Sequence, residues 1–205
     1  MNHYAALSAF VILATSVGSH WAHAEDFTIS HTLQLPPSEQ NPRNSEGDFI
    51  RLKDGRVLLV YTHFTSGAAD HATAYLAGRI SQDDGQTWSD RDTVVLGNEG
   101  QQNVMSVSLL RLQDERIALF YVRKNSSQDC RPCVRFSDDE ANTWSEPVVC
   151  IPDTELGYYV LNNDRVIQLR SGRLVVPVAQ HHGIGWPKWT GQGTALCYLS
   201  DDCGK

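Results

Sequence analysis

Apolar and polar positions alternate along most of this chain in short runs, and the runs recur. LKDGRVLLVY, LQDERIALFY and LRSGRLVVPV begin at Leu52, Leu112 and Leu169, about 60 residues apart. Each reads as the end of one strand, a tight turn, and a strand of β-branched, aliphatic or aromatic residues. Asp54-Gly55 and Ser171-Gly172 suit the turn, because glycine accepts the positive φ it requires. Third strands follow in ATAYLAGRIS, PCVRFS and TALCYLS, each closing on a serine. Fourth strands run through Thr93–Leu96 and Pro147–Cys150. No segment between them sustains a helical period.

The corner after each third strand repeats as well. Ser81, Asp83, Gly85, Thr87 and Trp88 follow the spacing S-x-D-x-G-x-T-W. Ser137, Asp139, Thr143 and Trp144 keep that frame, with Ala141 at the glycine position. Ser200, Asp202 and Gly204 begin a third copy. An Asp carboxylate in such a turn accepts N–H bonds from its own backbone, and the hydroxyls complete it. The Trp is then free to bury a large ring between neighbouring sheets. Asp83, Asp139 and Asp202 are therefore read as staples, not as catalytic carboxylates. Four antiparallel strands repeated in this way predict an all-β chain, a β-propeller of four-stranded antiparallel blades. The blades fall at approximately 43–97, 103–151 and 158–205.

Composition adds limits. The chain has 205 residues, 41% of them hydrophobic and 20% charged, as in ordinary globular proteins. A formal charge of −7 argues against a general nucleic-acid binder, which needs a basic face. Residues 1–24 read as a signal peptide: an apolar run from Ala5 to Val17, too short to span a bilayer comfortably, precedes Ala22-His23-Ala24. The mature chain, 25–205, is then expected to be secreted or periplasmic, with no membrane span after cleavage. Cys130, Cys133, Cys150, Cys197 and Cys203 allow disulfides in that setting, with pairing open. Cys130-Arg131-Pro132-Cys133 lacks a second ligand pair for a structural zinc site, and no metal is expected. No nucleotide or flavin motif is present, so no cofactor is expected.

The S-x-D-x-G-x-T-W corners resemble the Asp-box, or BNR, repeat of the sialidase (neuraminidase) superfamily. The resemblance extends from Arg43 to the end of the chain. It implies a six-bladed propeller, with the site at the mouth of the central channel. Six such blades need about 360 residues, so the chain reads as the N-terminal part, about three blades of six. The family implies an exported exo-sialidase that removes terminal sialic acid from glycoconjugates by a retaining mechanism. There, three arginines clamp the sugar carboxylate, an Asp is the acid/base, and a Tyr activated by a Glu is the nucleophile. A neutral phenol suits attack beside a carboxylate that would repel an anion, and a planar guanidinium binds that carboxylate through two parallel bonds.

The resemblance carries onto this sequence residue by residue. Arg43, before the first strand of blade one, takes the place of the first clamp arginine, although Arg43-Asn44-Ser45 departs from the usual R-I-P-like pattern. Asp70, in the loop joining the second and third strands of that blade, takes the acid/base place. Met105 at the start of blade two, and Asn163, Asp164 and Arg165 at the start of blade three, are candidates for lining the sugar pocket. Trp186 and Trp189 offer rings suited to stacking on sugars. The remaining arginines, the Tyr and its Glu are expected beyond residue 205; Tyr158 and Tyr159 are not in the nucleophile's place. Two alternatives share these features: a carbohydrate-binding Asp-box propeller without catalysis, and a propeller glycosidase for another acidic sugar.

Overall fold

The computed structural model describes residues 29–202 and 204. The expected signal peptide, Cys203 and Lys205 lie outside the described residues. The strands form a four-stranded sheet and an eight-stranded sheet, a partial β-propeller in which the larger sheet joins blades two and three through a parallel pairing at Cys130–Tyr158. Blade one is β1 (Arg43–Arg51), β2 (Val57–Phe64), β3 (Ala74–Ser81) and β4 (Thr93–Leu96), antiparallel and hydrogen-bonded in chain order. Blade two repeats this with β5 (Asn103–Arg111), β6 (Ile117–Lys124), β7 (Cys130–Ser137) and β8 (Val148–Val149). A 3-10 turn at Asp153–Glu155 leads into blade three: β9 (Gly157–Val160), β10 (Ile167–Gln168), β11 (Leu174–Gly183) and β12 (Thr194–Ser200). There β9 and β10 both pair with β11, so they are two pieces of one inner strand. No helix among the described residues is long and apolar enough to cross a membrane.

The core lies between blades, and period-two alternation builds it. On β6, Ile117, Leu119 and Tyr121 pack with Leu58, Val60 and Leu76 of blade one. Ala118, Phe120 and Val122, the alternate residues, pack with Leu174, Val176 and Val178 of blade three. A strand buried on both faces is apolar throughout, as IALFYV is. The same alternation separates the cysteines of the C-x-x-C pair. Cys130 joins the core shared with blade three and Cys133 the core shared with blade one, so the two thiols face opposite ways. Burial pushes the Cys130 thiol up to about 12.

Inner strands are latched to one another. Asp48 on β1 accepts the Leu109 N–H of β5 at 2.7 Å. Ser108 on β5 occupies the equivalent place, and its Oγ accepts the Arg165 and Val166 N–H groups at 3.2 Å. Both latches follow a bulge, Asn44–Gly47 in β1 and Met105–Ser108 in β5. At Gly47 a Cβ would lie 2.0 Å from the Val60 carbonyl oxygen, so only glycine fits.

The predicted corners form as staples. Asp83 Oδ1 accepts the Thr87 N–H at 2.8 Å and the Ser81 hydroxyl at 2.9 Å, and Oδ2 accepts the Thr87 hydroxyl at 2.6 Å. Asp139 repeats the set with Thr143 and Ser137 at 2.8, 2.9 and 2.6 Å. The third corner begins alike, with the Ser200 hydroxyl 2.7 Å from Asp202 Oδ1. Trp144 packs into the core between blades one and two. Trp88 packs on the outer side of blade one, over Leu59, Tyr61 and Ala77, with Leu33 and Leu35 of the preceding segment.

Candidate functional site

Arg43 opens β1, at the end of the strand where the chain enters the blade. The loop after β2 turns back toward it. Thr65 N–H donates to Thr73 O at 2.8 Å, Thr73 N–H to Ser66 Oγ at 3.0 Å, and Ala72 N–H to Ala69 O at 2.9 Å. These bonds present Asp70 at the tip. Arg43 Nη1 donates to Asp70 Oδ1 at 2.6 Å and to the Ala68 carbonyl at 3.0 Å. The guanidinium lies over the Phe64 ring, its carbon 4.6 Å from the ring centre. Both contacts shown for Arg43 among the described residues use Nη1. Nε and Nη2 thus remain as a fork for a planar anion.

Blade two holds the other side of the loop. Asn103, fully buried at the start of β5, donates through Nδ2 to the Asp70 and Ala72 carbonyls at 2.9 and 2.8 Å. Lys124, buried at the end of β6, donates to the Asp70 carbonyl at 3.1 Å. Its ammonium lies 5.1 Å from the centre of the Tyr158 ring. Met105 packs beneath the loop, against Phe64, Ala72 and Ala74.

The charges make Asp70 an anion in the free site. Arg43's hydrogen bond is the main influence holding its carboxyl below the usual range, with Lys124 and His71 adding to it against some desolvation. Asp70 is well exposed, at 67% of its side-chain surface, and Arg43 half as much, at 30%. Both can therefore be reached from solvent.

Of the residues singled out from sequence, Arg43 and Asp70 are in direct contact. Met105 supports the loop from below. Asn163, Asp164 and Arg165 lie in the break between β9 and β10 rather than at the start of an unbroken strand. Asp164 takes a left-handed φ of 50° and donates its N–H to Val107 O at 3.1 Å. With Arg165 N–H on Ser108, this segment is fastened to blade two by its backbone, and the Asp164 and Arg165 side chains are exposed. His63 is held in the interior of blade one, stacked on Tyr75 with Nδ1 3.0 Å from Asp92.

Lys124 lies outside the stretches singled out from sequence, and Asn103 opens the Asn103–Ser106 stretch, in which only Met105 is a candidate for the pocket. Lys124 had a signal: a lysine ends the apolar run IALFYVRK where blade one has Phe64. Asn103 had only its place at the start of blade two, which does not distinguish it from its neighbours.

Residues 77–205 match the family of BNR repeat-like domains. The chain belongs to that family. Solved structures agree on the fold. A protein of unknown function from Dyadobacter fermentans superposes with a TM-score of 0.63 at 16% identity, over 82% of this chain and 54% of that one. The Trypanosoma rangeli sialidase in complex with 2,3-difluorosialic acid, as a covalent intermediate, gives 0.57 at 18%, over 78% and 29%. The intramolecular trans-sialidase from Ruminococcus gnavus in complex with oseltamivir carboxylate gives 0.58 at 12%, over 85% and 61%. The chain thus spans less than two thirds of the length of these structures. A search of curated proteins found no match. The fold is of the sialidase type, built on BNR repeats.

Proposed function

We propose that this chain supplies part of the active site of an exported exo-sialidase, a glycosidase acting on terminal sialic acid. The observation that carries the reading is the Arg43–Asp70 pair, a guanidinium and a reachable carboxylate 2.6 Å apart. A sugar carboxylate is a better partner for Arg43 than Asp70 is, because it can take the free fork of Nε and Nη2 in parallel. Its arrival draws the guanidinium from Asp70 and places a second negative charge nearby. Both effects raise the Asp70 pKa and favour its neutral form. A neutral Asp70 can then give its proton to the glycosidic oxygen as the bond to the sugar breaks, and the leaving group departs as an alcohol. Water restores the sugar's hydroxyl, and configuration is retained if an enzyme nucleophile intervenes, as the covalent intermediate of the Trypanosoma rangeli sialidase supports. That nucleophile is not assigned to any residue of this chain.

Binding tests the reading without needing turnover. Saturation-transfer NMR with free sialic acid and with its methyl ester compares a carboxylate with a neutral ester on one ring. The acid should bind at least about tenfold more tightly, and Arg43→Ala should erase the difference, as loss of a charge-assisted pair implies. Equal binding of acid and ester by the folded protein would contradict the proposal.

A further inference from the structure

Lys124 is a buried cation among neutral partners. Only 6% of its surface is exposed. Its contacts shown among the described residues are the Asp70 carbonyl at 3.1 Å and the face of the Tyr158 ring at 5.1 Å. An ammonium is costly to bury without a carboxylate beside it. Its field also reaches further in such surroundings than it would in water. The placement is rigid. Lys124 pairs with Asn103 on β5 and with Cys130 on β7, and its carbonyl accepts the Gln102 N–H at 3.0 Å. Tyr158, facing the ammonium, is braced edge to face by Trp189 at 5.0 Å between ring centres.

Two cations therefore act on Asp70 in different ways. Arg43 grips the carboxylate itself, and its side chain is 30% exposed, so a ligand carboxylate can draw it away. Lys124 grips the main chain of the same residue from beneath the loop. It keeps its place and its charge when Arg43 moves. The charged and titratable groups facing Asp70 are Arg43 from β1, Lys124 from β6 and His71 beside it. Those facing Lys124 are Tyr158 on β9 and Cys130 on β7. After Arg43, Lys124 is among the charges that hold the Asp70 carboxyl below its usual range.

We propose that Lys124 is the positioning residue for Asp70: it pins the loop tip through the Asp70 carbonyl and supplies the fixed positive charge that favours the Asp70 carboxylate once its proton is given. The assignment rests on the sialidase reading above, in which Asp70 protonates the glycosidic oxygen as that oxygen takes the bonding pair. Asp70 is left as an anion. In a retaining reaction it then takes a proton from the water whose oxygen bonds to the sugar carbon as the nucleophile leaves. With Arg43 withdrawn and no other cation near, the carboxyl would hold its first proton too firmly. Lys124 limits that rise, so one carboxyl can serve both steps.

Carbon-13 titration of the Asp70 carboxyl in the 205-residue chain reads the charge, and amide exchange across residues 65–73 reads the loop. Lys124→Met keeps a long side chain without the charge, and Asn103 still holds the Asp70 carbonyl in that variant. The Asp70 midpoint should rise by at least about 0.5 in the free variant. With saturating sialic acid it should stand higher than in the liganded wild type. Lys124→Gln keeps a donor for the carbonyl and should show the same rise with amide exchange at the wild-type rate, which separates charge from anchoring. Lys124→Arg should restore the wild-type midpoint. An unchanged midpoint in both neutral variants, or a rise that Lys124→Arg shares, would overturn the proposal. Absence of sialic acid binding in the wild type would contradict the sialidase reading and the catalytic use of Lys124, while the titration of the free protein alone decides whether Lys124 sets the charge of Asp70.

Discussion

The S-x-D-x-G-x-T-W corners, here the rim, and the openings of the inner strands, here the mouth, of this partial propeller are built on opposite plans. At the rim, corresponding corners of blades one and two agree to a tenth of an ångström in three side-chain bonds around Asp83 and Asp139. At the mouth, corresponding positions differ in kind. Arg43 and Asn103 open equivalent strands, yet one carries a charge toward solvent and the other is buried under the neighbouring loop. Phe64 and Lys124 end equivalent strands, one as a platform for a cation and one as the cation. The repeat is kept in the turns that fasten each blade and abandoned at the candidate site. A position that departs from its counterparts in a repeat is thus a better guide to function than a position that follows them.

Breaking a rim staple should have the largest effect on stability. Ser81 is fully buried, and its Oγ both donates to Asp83 and accepts the Gly85 N–H at 2.8 Å. Ser81→Ala leaves both partners short and should cost about 2–3 kcal/mol, read from urea unfolding. Ser137→Ala should cost as much, because Ser137 repeats these contacts with Asp139 and Ala141. Unequal losses would show that the corners are alike in geometry only.

Asn103→Ala should come next, at about 1–2 kcal/mol, since the Ala72 carbonyl loses the Asn103 amide and the Asp70 carbonyl keeps only Lys124. Unlike a rim change, it should also raise amide exchange across residues 65–73 and weaken sialic acid binding. Ala141→Gly should act in the other direction. Ala141 holds φ 67° where blade one has Gly85 at 84° and the third corner has Gly204 at 80°. Relief of that strain should stabilise the fold by up to about 1 kcal/mol, reduced by the greater freedom of glycine when unfolded.

The Arg43–Asp70 pair should matter least to stability. It is exposed, and such pairs contribute about 0–1 kcal/mol. Asp70 has a lowered pKa in the folded protein. Its contribution is therefore present above the ordinary Asp pKa of about 3.9 and is lost only as pH falls through the lower folded value. Between pH 5 and 8, Arg43→Met should leave the melting temperature nearly flat while removing carboxylate recognition. A steep loss of stability in that window would mean the pair is structural.

Much of the fold was legible because it is local and periodic. Alternation in IALFYV, the Asp54-Gly55 turn and the S-x-D-x-G-x-T-W corners each state their geometry within ten residues. The inner-strand latches were not legible. Asp48 and Leu109 are far apart in sequence, and nothing near Asp48 announces that its carboxylate will be buried to serve another blade. Burial is the main cause raising the Asp48 pKa, against the two backbone bonds it accepts. The break that carries Asn163, Asp164 and Arg165 was hidden too: these residues read as the start of blade three, whereas β9 precedes them and β10 follows. At the mouth, Arg43 and Asp70 were legible through family resemblance. Their direct contact, and the roles of Asn103 and Lys124, depend on how one blade leans on the next.

The central claim is that Arg43 passes from Asp70 to a ligand carboxylate and so changes the proton affinity of Asp70. A carbon-13 titration of the Asp70 carboxyl, with and without saturating sialic acid, measures this directly. A pKa below the ordinary Asp range is expected in the free protein, with a clear upward shift when ligand is bound. An Asp70 pKa that does not move on binding, or moves down, would contradict it.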